Sequence, residues 1–314
     1  MSILNDPPHA GAPEPPGPAR TRGRAVIWLR TVRAYAGAVP FFAFVAVFLL
    51  WPTGIVISGA LTGPDGTFSL DNVAAVTGSV HLAAFGRSVW VSLITALIGA
   101  IGGALLSWAV SAGSGSAGAA SRLRRVVTAF SGVLAQFGGV MLAFAFLATV
   151  GLQGWLTLIL RDALGLDLFA GGNWLYGMPG LVLVYCYFQI PLMTIVFLPA
   201  LDGLRKQWRE ANESLGGSAW HYWRYVAGPI LAPAFAGSFL LLFANAFSSY
   251  ATAAALVSQG GPIVTLQIRN ALTSEVILGQ ADIGYALAFG MVVVVAVVMS
   301  LYALLQRRTA RWLR

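Results

Sequence analysis

The sequence predicts an all-α membrane protein with six transmembrane helices. Three observations predict it. Hydrophobic residues make up 58% of the 314-residue chain and charged residues only 10%, whereas a soluble domain carries about a quarter charged residues to face water. Charged residues leave six long intervals untouched: 34–64, 88–121, 126–160, 168–201, 225–268 and 283–306. Each can hold the run of about 20 mostly apolar residues that a spanning helix needs. Glycine is abundant, at 36 residues, which suits close helix contact in lipid.

The elements follow in chain order. Residues 1–34 begin "MSILNDPPHAGAPEPPGPA", a proline-rich, weakly apolar stretch expected to be a disordered tail with a basic flank. The first apolar run is longer than a secretory h-region and follows this long tail, so it reads as an uncleaved anchor. A membrane domain over 35–306 is expected to span at 36–60, 88–112, 127–150, 178–200, 232–257 and 284–306, before a basic tail at 307–314. Between the first two spans, Ser69 or Asp71 in "GTFSLDNVAAV" can cap a short helix. The next connection is glycine and serine ending in "SRLRR". The stretch "LQGWLTLILRDALGLDLFAGGNWLYG" is too apolar for a plain loop and reads as an interfacial helix or re-entrant turn anchored by Trp155 and Trp174. Arg161, Asp162 and Asp167 make a seventh span there costly. The last external loop is expected to be partly helical from Thr265.

Orientation follows from the basic residues. Arg20, Arg22, Arg24, Arg30 and Arg33 precede the first span. Arg122, Arg124 and Arg125 lie between the second and third. Arg205, Lys206, Arg209 and Arg224 lie between the fourth and fifth, and Arg307, Arg308, Arg311 and Arg314 end the chain. Only Arg87, Arg161 and Arg269 of the 19 basic residues fall on the other side. The positive-inside bias then puts both termini in the cytoplasm, and an even number of spans requires that they share a side.

One cytoplasmic stretch stands out, "REANESLGGSAWHYWRYVAGPILAP" at 209–233. Leu204, Trp208, Ala211 and Leu215 fall on one stripe of a short helix, with Asp202 as its expected N-cap. Gly216 and Gly217 break it, Ser218 can cap a second short helix, and Pro229 ends that helix or starts the next. This could be a solvated loop that only sets topology. The density of Trp208, Trp220, Tyr222, Trp223 and Tyr225 points instead to an interface with headgroups or protein.

The segment resembles the EAA loop of binding-protein-dependent ABC importer permeases: Glu-Ala-Ala, three residues, Gly, nine residues, then Ile-x-Leu-Pro. Glu210, Ala211, Gly216 and Pro229 match; Asn212, Val226 and Gly228 depart from it. The resemblance covers about 85–306. It implies a type I, MetI-like permease bundle in a bacterial inner membrane, with the loop at 202–229 seated in a cleft of a separate ATPase. Glu210, Ala211, Gly216, Pro229, Trp208 and Trp220 would make that coupling site, Glu210 pairing with a basic group of the ATPase rather than with Lys206 or Arg209 of its own helix. The implied partners are two cytoplasmic ATPase subunits, a second permease subunit (the same chain or a homologue), an extracytoplasmic binding protein and membrane lipid, with no nucleic acid.

The residues bound the chemistry further. The only lysine is Lys206, and no Gly-x-x-x-x-Gly-Lys-Ser/Thr loop occurs. The chain is therefore expected to bind no cofactor and to leave ATP to its partner. His81 and His221 lack ligand-spaced partners, so no metal site is expected. Gly113–Gly118 is too glycine-rich for a nucleophile elbow, so no catalytic residue is assigned. Cys186 is alone and forms no internal disulfide. No acidic or basic residue sits mid-span, which leaves an ion-coupled carrier no charged relay. The neutral polar residues Gln136, Tyr185, Tyr187, Gln189, Thr194, Asn245, Ser248, Ser249, Tyr250 and Thr252 can line a solute pathway or bond across helices. Gln189, Asn245, Ser248, Ser249, Tyr250 and Thr252 are the candidate pathway residues. The general look is similar to polyamine, thiamine, iron and phosphonate importer permeases. Sugar permeases, a membrane scaffold or sensor, and a secondary carrier are the alternatives.

Overall fold

The structure, a computed structural model, describes residues 38–63, 65–112, 119–257, 263–273 and 280–310. The proline-rich tail, the run at 113–118, parts of the last external loop and residues 311–314 lie outside the described residues. The helices are α1 Val39–Ala60, α2 Asp71–Val76, α3 Ser79–Ala112, α4 Ala119–Gln136, α5 Gly139–Val150, α6 Trp155–Leu164, α7 Met178–Asp202, α8 Lys206–Ser214, α9 Ala219–Phe247, α10 Ala251–Leu256, α11 Val264–Thr273 and α12 Gln280–Ala310. Six segments are long and apolar enough to cross a membrane: α1, most of α3, Gly139–Leu164, α7, α9 and Ala281–Leu305. The chain divides into two compact units, Met1–Ile55 and Val56–Arg314.

In the second unit α7 is the hub. Its Leu181, Val184, Tyr185 and Phe188 pack with Leu142 and Ala143 of α5 and with Ala253 and Leu256 of α10. Its Met193, Phe197 and Leu201 pack with Ala96 and Ala100 of α3 and with Leu242, Phe243 and Phe247 of α9. The α3–α7 seam is close because Gly99 and Gly103, one helical turn apart, carry no side chain there. A Cβ on Gly103 would lie 2.4 Å from Met193 Cβ and 2.6 Å from the Ile190 carbonyl oxygen. A backbone oxygen cannot swing aside, so Gly103→Ala is expected to cost about 3 kcal/mol through overpacking. A lower melting temperature of the detergent-solubilised chain checks this, and an unchanged one would refute the close approach.

Three boundaries differ from expectation. The helix α3 starts at Ser79, ahead of the expected 88, because Arg87 is exposed and does not end the helix. The expected helix 127–150 is two helices. Gly138 is extended (φ −131°, ψ −165°) and Gly139 adopts φ +70°, a left-handed conformation that glycine reaches without strain. After a turn at 151–154, α6 continues the apolar run, and Thr157 Oγ1 donates to the Val150 carbonyl at 3.1 Å. Its end is closed by Gly165 at φ +66°. Finally, the expected span 232–257 breaks at 248–250, between α9 and α10.

Short polar contacts fix the edges. Neither Ser69 nor Asp71 is the N-cap of α2: Leu70 stands there without a side-chain cap, while Ser69 Oγ donates to Asp71 Oδ2 at 2.7 Å and accepts from the Asp71 N–H at 3.0 Å. Trp174 Nε1 donates to the Leu168 carbonyl at 2.9 Å, and its ring stacks on Phe169. The helix α11 begins at Val264, close to the expected Thr265.

Candidate coupling knob and polar break

Two short helices form the knob between α7 and the membrane part of α9. The first, α8, starts after Arg205, which stands at the N-cap with extended backbone and no side-chain cap. Asp202 is not that cap. It is the last residue of α7, and its carboxylate is ion-paired with Arg124 of α4. Leu204 also lies ahead of α8 and packs against the bundle core. The Arg205 guanidinium sits 5.8 Å from the centre of the half-buried Trp208 ring, within cation–π range.

The turn is built by three residues. Gly216 adopts φ +76°, the left-handed conformation that ends helices. Gly217 donates its N–H to the Asn212 carbonyl at 2.8 Å. The Asn212 amide donates to the carbonyls of Gly217 at 3.1 Å and Ser218 at 3.2 Å. Ser218 then caps α9, its Oγ accepting from the His221 N–H at 3.4 Å and lying 2.9 Å from His221 Nδ1.

Asn212 is where the sequence departs from Glu-Ala-Ala, and its role was not legible from the motif. A Cβ on Gly217 would lie 2.4 Å from Asn212 Oδ1. Gly217→Ala should therefore expel the amide and lose its two hydrogen bonds, at about 1–2 kcal/mol. The same change made on Asn212→Ala should cost nothing more. Tryptic cleavage at Arg209 in membranes reads the loosening, and equal effects in both backgrounds would contradict the contact.

The second departure, Gly228, is explained by a π turn at Trp223–Ala227. The Gly228 N–H donates to the Trp223 carbonyl, and a Cβ there would lie 2.5 Å from that oxygen. The wider turn also carries the helix through Pro229, which has no N–H to donate. Pro229 thus neither stops nor starts a helix: α9 runs through it.

The knob's aromatics divide into two groups. Tyr222 is buried, and Trp223 packs edge-to-face on Trp108 of α3 with ring centres 6.4 Å apart. These anchor the knob to the bundle. Leu215 is 88% exposed, Trp220 68% and Tyr225 66%, so an apolar rim points outward. Ala211 and Gly216 are exposed beside it. Arg209 is paired with Glu213 at 3.0 Å. Glu210 is exposed, and among the described residues no ion pair involves its carboxylate.

The polar candidates lie around the break between α9 and α10. Asn245, Ser248 and Tyr250 are exposed, Ser249 is half-buried and Thr252 is buried. Breaking the helix frees carbonyls, and side chains take them up: Tyr185 Oη donates to the Ser249 carbonyl at 2.8 Å. Thr252 Oγ1 donates to the Gly139 carbonyl at 3.2 Å, which joins this break to the one between α4 and α5. Ser248 Oγ donates to the Ala244 carbonyl at 2.9 Å. Gln189 stands elsewhere, fully buried on the α3–α7 seam, its Nε2 donating to Thr95 Oγ1 at 3.0 Å. Its Oε1 has no partner among the described residues.

Residues 109–311 match the family described as binding-protein-dependent transport system inner membrane component. The thiamine transport system permease protein ThiP of Escherichia coli (strain K12) is 33% identical over 135 residues, which cover 42% of this chain and 24% of that protein. The probable starch degradation products transport system permease protein AmyD of Thermoanaerobacterium thermosulfurigenes is 28% identical over 148 residues, 44% of this chain and 49% of that one. The chain spans about a quarter of the length of the thiamine permeases it matches. A bacterial ABC transporter that imports the acidic polysaccharide alginate has a similar fold, with TM-score 0.64 at 16% identity over 91% of this chain and 99% of that one. The alginate transporter solved with a pentasaccharide-bound periplasmic protein gives TM-score 0.67 at 15% identity, over 89% and 95%.

Proposed function

The chain belongs to the family of binding-protein-dependent transport system inner membrane components, and from that membership we propose how its parts divide the work. As a permease subunit of an ABC importer it is a multi-pass membrane protein and a transport subunit rather than an enzyme. In the reading proposed here, two cytoplasmic ATPases bind the knob, a second permease completes the pathway and an extracytoplasmic protein delivers the solute. The chain itself binds no cofactor, and ATP is consumed by the ATPases. In the same reading both termini lie in the cytoplasm, which the concentration of arginines on that side supports.

One observation carries the coupling role. The knob is anchored at Trp223 and pinned at its turn by Asn212, yet it leaves Leu215, Trp220 and Glu210 exposed, the last with no ion pair among the described residues. A rigid helix pair can transmit nucleotide-driven closure as a rigid-body shift. Glu210, Ala211, Gly216, Trp208, Trp220 and Pro229 form this element. Affinity purification of the full chain from native membranes is the test: an ABC ATPase should co-purify. Recovery of the chain without one, or impermeant labelling of the knob from outside the cell, would refute the reading.

The solute is a small molecule of the thiamine, polyamine, iron or phosphonate kind. Its support is the 33% identity to a thiamine permease, since the alginate transporters match at an identity that speaks only for fold. A sugar is the second reading, favoured by the similarity to the starch-product permease. Asn245, Ser248 and Tyr250 present neutral polar groups at the break, Ser249 and Thr252 hold it open by their contacts, and Gln189 carries a spare buried acceptor. Binding of thiamine, spermidine, ferric iron, a phosphonate and maltotriose by the cognate extracytoplasmic protein separates the two readings.

A further inference from the structure

The geometry points to the Arg124–Asp202 ion pair as a positioning strut that carries movement of the knob into the polar break. This rests on the coupling role proposed above for the knob. The pair bridges residues 78 apart in sequence and joins α4 to the last residue of α7. Only Gly203, Leu204 and Arg205 separate Asp202 from α8, so Asp202 is the root of the knob. The two side chains are 32% and 38% exposed, which shields the pair in part.

Asp202 is badly placed for its own helix. A carboxylate at a helix C-terminus opposes the macrodipole, and a basic residue would suit it better. The local structure of α7 therefore does not account for an acid there, whereas a link to α4 does. The face of α4 that carries Arg124 also presents Ser121, Arg125 and Thr128 across a groove of 710 Å³ from Leu198 and Pro199 of α7. Among the described residues, the ion pair is a direct polar tie between the two helices at this end.

The far end of α4 completes the lever. It stops at Gln136; Gly138 is extended and Gly139, the first residue of α5, stands at φ +70°. The Gly139 carbonyl accepts from Thr252 of α10. Displacing Asp202 thus tilts α4 about the two glycines and shifts α5 against the break at 248–250. Coupling of this kind needs a chain of contacts and evidence that breaking one link uncouples the ends.

The test uses the full complex in membranes with its co-purifying ATPase. Ser248, exposed at the polar break, becomes the reporter as Ser248→Cys in a Cys186→Ala background. Its maleimide labelling rate is compared with and without ATP plus vanadate. The ATP-dependent change should fall about fivefold in Arg124→Asp and return in Arg124→Asp with Asp202→Arg. Arg124→Gln, which leaves folding less disturbed, should give an intermediate loss. Asp202→Arg alone suits the helix end yet should uncouple, which a purely structural role would not produce. A full nucleotide response in Arg124→Asp and Arg124→Gln overturns the strut alone. A swap that fails to restore the response while still binding the ATPase overturns it too. No nucleotide response in the unmutated pair overturns the coupling role itself, and the strut with it.

Discussion

Replacing Gly216 by valine should leave the chain inserted in the membrane and reduce transport by about 100-fold or more. The reason is conformational rather than steric. Nothing lies within 4 Å of the Cβ that a substitution would add, but the backbone stands at φ +76°. A β-branched residue there is a strong outlier, at about 1–3 kcal/mol of strain. The chain would relieve it by reopening the turn, which pulls Asn212 from the Gly217 and Ser218 carbonyls and rotates α8 away from α9. An interface built on a displaced helix loses most of its contacts at once. Two further variants separate the causes. Asn tolerates the left-handed region, so Gly216→Asn should keep most of the transport. Gly216→Asp has nearly the same shape but adds a charge beside Glu213, at the end of α8 where the macrodipole disfavours it. It should lose ATPase association despite an intact turn. Transport is read as solute uptake into cells, and insertion as the amount of chain in the membrane fraction. Wild-type uptake by the valine variant would end the argument for a preorganised knob.

Much of this was legible in the sequence because lipid imposes a simple rule. A span cannot hold many charges, so the charge-free intervals located six apolar helices without any other information. The glycine pair at 216–217 likewise announced the turn, since few residues can end a helix that way. Other features had no such signature. Asn212 looked like a mismatch to Glu-Ala-Ala, because its function depends on two carbonyls that come within reach only after the turn has formed. Gly228 looked like a loss of leucine, because only the π turn brings the Trp223 oxygen against it. Asp202 looked like an N-cap because it precedes glycine and a helical stripe. Its partner Arg124 is distant in sequence, and no local pattern marks such a pairing. The breaks at 138–139 and 248–250 fall inside runs apolar enough to read as continuous helix, and the carbonyls they free are taken up by Tyr185 and Thr252 from other elements. Periodicity reports the composition of a stretch, whereas these breaks depend on who supplies the missing hydrogen bonds.

Glu210→Ala should weaken ATPase association by about 30-fold or more while leaving the knob folded, and it is the sharpest separation of docking from structure. Alanine is the better helix former, and the carboxylate makes no ion pair among the described residues, because Arg209 is engaged with Glu213 at 3.0 Å. Removing it therefore takes nothing from α8. Tryptic protection at Arg209 should be unchanged. Association should behave differently if a basic group of the ATPase closes on Glu210 away from water. Truncating one member of a buried charged pair costs about 2–5 kcal/mol, much of it from the charge left behind, or roughly 30-fold to several thousand-fold in affinity. Glu210→Gln keeps the shape and a hydrogen-bonding group but loses the charge, so it should fall between. Glu213→Ala is the control: its carboxylate belongs to an exposed pair within one helix, which contributes only about 0.3–0.5 kcal/mol, so association should persist. If Glu213→Ala and Glu210→Ala weaken ATPase retention equally, the site senses the net charge of α8 and Glu210 has no place of its own in the contact. If neither weakens it, the rim of Leu215, Trp220 and Tyr225 holds the partner without the carboxylate.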